Sequence, residues 1–235
     1  MTGRLYLIPV PLGPGKSEAV LPPPVLARIR TLRHFVVEHA KSARAFLKDV
    51  DMPVPLQALG IRELNEHTRP AEVAALLAPL LAGHDLGLLS EAGCPAVADP
   101  GAALVAEAQA RSLQVVPLIG PSALLLALMA SGLNGQRFAF HGYLPAKEEA
   151  RRQAIRQLEK ESRQHHETQI FIETPYRNKA LFTTLLAQGQ PTTRLCLATD
   201  LTLASESIRT LTLAEWRRQP PPDIERRPTV FLLLA

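Results

Sequence analysis

The stretch Ser90-Glu91-Ala92-Gly93-Cys94-Pro95-Ala96-Val97-Ala98-Asp99-Pro100-Gly101 carries the strongest chemical signal in the sequence. It follows the apolar run Leu86 to Leu89 and precedes a helical pattern from Ala102 to Ala110. A loop rich in Gly and Pro at the end of a buried strand is where open α/β sheets bind ligands. A second strand-like run, Gln114 to Ile119, ends in Gly120-Pro121-Ser122-Ala123, where Pro at a first helical position beside a Ser leaves backbone donors for a polar ligand. Two such strand ends in succession point to one small-molecule site.

A competing motif fails on spacing. Gly13-Pro14-Gly15-Lys16-Ser17 ends like a phosphate-binding loop, but that loop needs a glycine at the position held by Val10. Pro22-Pro23-Pro24 also come too soon for Lys16-Ser17 to open a long helix whose amides could cradle phosphate.

The elements that must position these loops alternate. Leu5 to Val10, Phe35 to Glu38, Leu86 to Leu89 and Gln114 to Ile119 read as strands, separated by helical patterns at Val25 to Leu32, Ser42 to Val50 and Ala71 to Leu81. This is βαβ rhythm and predicts a largely parallel sheet. The second half reads as strands at Phe138 to Tyr143, Gln169 to Glu173, Arg194 to Ala198, Ser207 to Leu213 and Thr229 to Leu234, with helices at Lys147 to Ser162 and Asn178 to Gln188. Its closer late spacing predicts a mixed sheet. The expected architecture is two α/β domains, residues 1–119 and 120–235, divided at the Gly-Pro break after Ile119.

Composition narrows the class. With 235 residues, 46% of them hydrophobic, the chain can bury a real core. The apolar run Val115 to Ala130 is interrupted by Gly120-Pro121-Ser122 and is short for a bilayer, and Met1-Thr2-Gly3-Arg4 lacks a signal-peptide pattern, so a cytoplasmic protein without a membrane partner is expected. Cys94 and Cys196 lie in a Gly/Pro loop and an apolar run, which argues against a disulfide and makes Cys196 a small core residue. The seven histidines show no metal-ligand spacing; His165-His166 reads as a solvated connection, and no metal site is expected.

The net charge is only +4, but the positive residues cluster: Lys41, Arg44 and Lys48 in one group, Arg151, Arg152, Arg156, Lys160 and Arg163 in another. Such patches suit a polyanionic partner. Glu148, Glu149, Glu159 and Glu161 share the second group, which therefore also reads as a salt-bridged, solvated helix face.

Five segments in order along the chain carry a family resemblance: Leu5-Tyr6-Leu7-Ile8-Pro9-Val10-Pro11-Leu12-Gly13, then Ser90 to Gly101, then Pro117 to Ala123, then Phe140-His141-Gly142-Tyr143-Leu144-Pro145, then Phe171-Ile172-Glu173-Thr174-Pro175-Tyr176-Arg177. The chain resembles the tetrapyrrole methylase superfamily of S-adenosylmethionine-dependent methyltransferases, and within it the branch that methylates a ribose 2′-hydroxyl of small-subunit ribosomal RNA. The resemblance implies two α/β domains with the cofactor S-adenosylmethionine in the cleft between them, a homodimer, and ribosomal RNA or the small subunit as partner. It places the cofactor against Leu12, Ala92, Gly93, Cys94, Val97, Ser122, Ala123, Tyr143, Glu173, Thr174, Pro228 and Thr229. It places Glu38, Glu66 and His39 near strand ends facing the cleft, as candidate bases or acceptor-orienting groups.

The departures bear on the acceptor. The Glu-Asp-Thr-Arg tract of the ribosomal RNA branch reads Glu38-His39-Ala40-Lys41, and the usual Ser-Asp-Ala-Gly-Thr-Pro loop reads Ser90-Glu91-Ala92-Gly93-Cys94-Pro95. The small C-terminal extension of longer members is absent from the sequence, whose last residue is Ala235. A methyltransferase acting on another, small-molecule acceptor and a cofactor-binding relative without the original activity therefore stand as alternatives.

Overall fold

A computed structural model describes residues 2–235 and divides the chain into two units, Met1–Ser122 and Ala123–Ala235. The division falls three residues beyond the Gly-Pro break at which the sequence places it.

In the N-terminal unit, β1 (Leu5–Ile8), β2 (His34–Val37), β3 (Gly60–Glu63), β4 (Leu86–Leu89) and β5 (Val115–Pro117) form a sheet of order β3-β2-β4-β1-β5. Every pairing in it is parallel, beyond the largely parallel sheet expected. All four residues of β4 are buried, because a central parallel strand is covered on both faces. Helices α1 (Pro23–Thr31) and α2 (Ala40–Asp49) cover one face through Val25, Leu26, Ile29, Ala43 and Leu47, which pack with Ile8, Phe35 and Leu89. The other face is covered by Val73, Leu76, Leu77, Leu80, Leu104 and Ala108.

Two expectations need correction here. The segment Ala71 to Leu81 is not one helix: it divides into α3 (Pro70–Val73), a 3-10 turn (Ala74–Leu77) and α4 (Ala78–Leu81). Pro79 is the physical reason, since it has no amide to donate and its ring would strike the carbonyl of Ala75 in a continuous helix. The first strand stops at Ile8 rather than Val10, and Val10 instead makes an isolated antiparallel bridge with Gly93. Helix α5 (Gly101–Ala110) leads from the β4 loop to β5.

In the C-terminal unit, β6 (Phe138–Tyr143), β7 (Thr168–Ile172), β8 (Arg194–Thr199), β9 (Ser207–Thr212) and β10 (Thr229–Leu234) form a mixed sheet of order β6-β7-β10-β8-β9. Only β6 and β7 pair in parallel; β10 runs antiparallel to both β7 and β8. Helix α6 (Ala123–Ser131) packs on β10, β9 and β8, while α7 (Glu148–His165), α8 (Asn178–Gln188) and the short α9 (Leu213–Trp216) complete the unit. Its core gathers Ile155, Leu158, Phe171, Phe182, Trp216 and Phe231. Cys196 is fully buried, as expected of a core thiol, and His165 and His166 are exposed.

Helix α7 departs from the solvated face expected of its charges. Arg152 pairs with Glu148 and Arg156 with Glu149 on the outer side, but Arg151 and Glu159 are buried. The Arg151 guanidinium donates to the Thr184 hydroxyl at 3.2 Å and the Ala146 carbonyl at 3.1 Å. Glu159 Oε1 accepts from the Gln190 amide at 2.8 Å and the Thr193 hydroxyl at 2.5 Å. Both satisfy the interior requirement that a buried charge be hydrogen-bonded. No helix among the described residues is long and apolar enough to cross a membrane.

Candidate active site

A parallel sheet delivers all its strand ends to one edge, so the loops after β1, β2, β3, β4 and β5 meet there. The loop after β4 is tied to the loop after β1 by the Val10–Gly93 bridge, with Val10 N to Gly93 O at 2.9 Å and Gly93 N to Val10 O at 3.1 Å. Gly93 sits at φ +72°, and a Cβ built there would lie 3.3 Å from Leu12 Cδ2 and 3.7 Å from the Pro121 carbonyl. A side chain would be strained by the backbone and would press on Leu12. The Cys94 thiol donates to the same Pro121 carbonyl at 3.4 Å, and burial pushes its pKa up, which keeps it protonated. Leu12, Gly93, Cys94 and the Pro121-Ser122 turn are thus brought together, with Ala92 exposed beside them.

The rest of the β4 loop is held by Asp99. Its Oδ1 accepts from the Ala96 amide at 2.9 Å and the Gly101 amide at 2.7 Å, and Oδ2 accepts from Ala96 at 3.0 Å. Ala96 and Ala98 both take left-handed backbone, φ +67° and +60°, so the loop stores strain and projects Val97 outward, 47% exposed. Burial pushes the Asp99 carboxyl upward, against the downward pull of those amides. Sequence reasoning misses Asp99, although an Asp just before a helix start is a recognisable capping signal.

Glu38 follows β2 and is half-buried. Its Oε2 accepts from the Glu91 amide at 3.3 Å. Burial raises its pKa, and the charges of Asp99, Glu91 and Glu66 add to the rise while the Glu91 amide opposes it. Glu66, beyond β3, is within electrostatic reach of Glu38 but has an 87% exposed side chain and lies 3.6 Å from His67 Nε2. His39 is exposed at the start of α2, its carbonyl 3.0 Å from the Ser42 hydroxyl, whose one proton goes to Glu91 Oε1 at 2.5 Å. Lys41, Arg44 and Lys48 are exposed along α2, opposite buried Ala43 and Leu47.

The loop after β1 confirms that Lys16-Ser17 does not cradle phosphate. Only a three-residue 3-10 turn, Ser17–Ala19, comes next, and Lys16 Nζ lies 3.1 Å from Asp49 Oδ1. The Ser17 amide donates to Asp49 Oδ2 at 2.7 Å, so a carboxylate of the chain takes the place an external anion would need. These bonds and Lys16 hold the Asp49 carboxyl below its ordinary pKa.

Within the C-terminal unit, Glu173 closes β7 with a side chain only 1% exposed. Its Oε1 accepts from the Thr174 amide at 2.7 Å and from Arg177 Nε at 2.9 Å, whereas the buried Oε2 has no partner among the described residues. A buried acceptor without a donor carries the full desolvation cost of that atom. Asn178 Nδ2 bonds the carbonyls of Ile224 and Arg227. Thr229 is buried and donates to the Arg227 carbonyl at 3.0 Å, and Pro228 beside it is exposed. Tyr143 stands 54% exposed beyond the irregularity that separates Phe140 from Tyr143 in the β6–β7 register, next to Gly142 at φ +64°. Ala123 opens α6, partly buried.

No family model matches the chain. Solved structures with the same fold include the methyltransferase CobJ, at TM-score 0.65 and 19% identity over 100% of this chain and 95% of that one. A uroporphyrin-III-C-methyltransferase from Thermus thermophilus aligns at TM-score 0.54 and 18% identity over 100% and 93%. The sequence relatives are more similar. The ribosomal RNA small subunit methyltransferase I of Xylella fastidiosa is 32% identical over 99% of this chain and 81% of its own length. The protein of that name from Pseudomonas aeruginosa is 33% identical over 91% and 71%, and that from Escherichia coli O157:H7 is 31% identical over 99% and 77%. With near-complete coverage at this identity and the shared two-unit α/β fold, the chain belongs to the ribosomal RNA small subunit methyltransferase I family.

Proposed function

We propose that the chain is an S-adenosylmethionine-dependent methyltransferase whose acceptor is a ribose 2′-hydroxyl of small-subunit ribosomal RNA. Glu38 carries this reading: it is the carboxylate at the strand-end edge whose pKa is raised by burial and by three neighbouring carboxylates. A raised pKa makes an ionised carboxylate a better proton acceptor.

The residues fit the cofactor. Gly93 leaves a backbone surface that a Cβ would fill, against Leu12, and Glu173 is assigned to the cofactor from the family pattern. Leu12, Ala92, Cys94, Val97, Ser122, Ala123, Tyr143, Thr174, Pro228 and Thr229 are assigned to the same ligand from the family pattern. The cofactor, when bound, supplies an electrophilic methyl group. Glu38 accepts the proton of the ribose hydroxyl as its oxygen becomes nucleophilic, Glu66 keeps the local field negative so that this proton is retained, and the exposed Lys41, Arg44 and Lys48 hold the phosphate backbone. Exposed Leu125 and Met129 on α6 and Phe138 on β6 support a homodimer, and the family's substrate supports a cytoplasmic location.

The test has two arms. Calorimetry with S-adenosylmethionine is expected to show one site per chain, abolished by Ser122→Trp. Methyl transfer to RNA from a strain lacking the protein is expected to fall by about 10²–10⁴-fold in Glu38→Gln with cofactor affinity kept. Cofactor binding without transfer to any RNA would favour a small-molecule acceptor, the reading to which the altered tract Glu38-His39-Ala40-Lys41 points.

A further inference from the structure

The N-terminal unit contains a cleft of about 230 Å³ at the ends of β1 and β4, roofed by the inner side of α2. Its volume lies below the roughly 300 Å³ at which pockets begin to hold drug-sized ligands, so it suits a group the size of one base. Phe46 and Leu89 provide apolar walls.

The polar lining is one-sided. The Ser42 hydroxyl donates to Glu91 Oε1 at 2.5 Å, the Ser90 hydroxyl to the Ala92 carbonyl at 3.3 Å, and the Ser17 amide to Asp49 at 2.7 Å. These donors are already engaged, while the carboxylates of Glu91 and Asp49 both line the cleft. Asp49 is already paired with Lys16 at 3.1 Å, so the carboxylate left to a ligand is that of Glu91, which repels a phosphate or carboxylate. A neutral planar group that brings donors of its own meets the opposite situation.

We propose that this cleft receives one unstacked nucleobase of the acceptor RNA and selects a base whose edge presents an exocyclic amino group to Glu91. The inference rests on the RNA reading above and deepens it. Glu91 connects the cleft to the chemistry, because its amide holds Glu38 Oε2 at 3.3 Å. Helix α2 serves both sides: Lys41, Arg44 and Lys48 face solvent, whereas Ser42, Phe46 and Asp49 line the cleft. A strand whose phosphates follow the outer face can turn one base inward, as single-stranded RNA recognition commonly does.

Short oligouridines carrying one central adenosine, cytidine, uridine or abasic residue test this by fluorescence anisotropy with the full chain. The adenosine and cytidine oligomers are expected to bind about tenfold tighter than the abasic one, with uridine near the abasic value. In Glu91→Gln the amino-base preference should shrink to about twofold while abasic affinity holds. Ala45→Phe, which fills the cleft from an exposed position of α2, should bring all four oligomers to the abasic value and guards against a folding defect in the Glu91 variant. Equal binding of the four oligomers by the unaltered chain, still salt-dependent, overturns the base cleft and leaves the RNA reading standing. No binding of any oligomer overturns both.

Discussion

Replacing Asp99 by alanine should release the loop after β4 before it unfolds the domain. The Asp99 carboxylate is the acceptor for the Ala96 and Gly101 amides, at 2.9 and 2.7 Å. Charge-assisted bonds of this kind contribute about 1.5–3 kcal/mol each when buried, and the half-exposed site lets water recover part of that. Carboxylate charge at the start of α5 adds about 0.5 kcal/mol. Burial of the ionised group works the other way, as its raised pKa records. The net expectation is about 2 kcal/mol, or about a 30-fold rise in amide exchange at Ala96 and Gly101. The left-handed Ala96 and Ala98 sharpen the effect, since each disfavours its conformation by about 1–2 kcal/mol and needs the anchor. Asp99→Asn keeps one acceptor but turns an amide NH₂ toward Ala96 N–H, and should lose about half as much. Hydrogen exchange by mass spectrometry reads both variants. Exchange in the alanine variant within about twofold of the unaltered chain would refute the anchoring role.

Other perturbations separate packing, charge and proton linkage. Gly120→Ala places a Cβ 2.4 Å from Pro9 Cβ and 2.7 Å from its Cγ, a ring that cannot swing aside, so urea unfolding should show a loss of about 1–3 kcal/mol. His34 has its pKa lowered by burial first and then by the charges of His84 and Arg62, so the unfolded chain takes its proton more readily than the folded one. Stability should therefore fall as pH drops below the ordinary histidine value of 6.5, and His34→Gln should flatten that slope in pH-dependent unfolding. Neutralising Lys41, Arg44 and Lys48 together should lower the salt slope of RNA binding by roughly 0.7–0.9 per lost phosphate contact and leave cofactor affinity alone. An unchanged slope in the triple variant would mean that this face is ordinary solvated surface.

Legibility in the sequence tracks burial. Strand β4 reads clearly as Leu86 to Leu89 because a doubly covered strand must be apolar throughout. Strand β3, Gly60–Glu63, leaves no such mark, since it is an edge strand with three of its four residues exposed. The helical pattern over Ala71 to Leu81 is genuine as an apolar periodicity and wrong as a continuous helix, because Pro79 interrupts the amide ladder that the periodicity implies. At the site, Gly93 and the Gly120 turn are visible because glycine and proline announce special backbone. Asp99, Glu91, Ser42 and Asp49 are not, because each acts through a partner distant in sequence or through a loop geometry that residue types alone do not specify. Arg151 and Glu159 read as solvated for the same reason: their partners, Thr184 and Thr193, come from other elements.

The order of strands also sets a timetable for synthesis. In the N-terminal unit β1, the first strand made, lies between β4 and β5 and offers both edges as a template for these later strands. The C-terminal unit reverses this. Strand β10, fully buried, is made after every other strand of its sheet and lies between β7 and β8. Until it arrives, the β6–β7 pair and the β8–β9 hairpin are separate pieces, each presenting an unpaired apolar edge that includes Ile170 and Phe171 or Leu195 and Leu197. Such edges are where nascent chains associate wrongly. The first unit can consolidate on strands already made, while the second stays open to misassembly until β10 docks between β7 and β8.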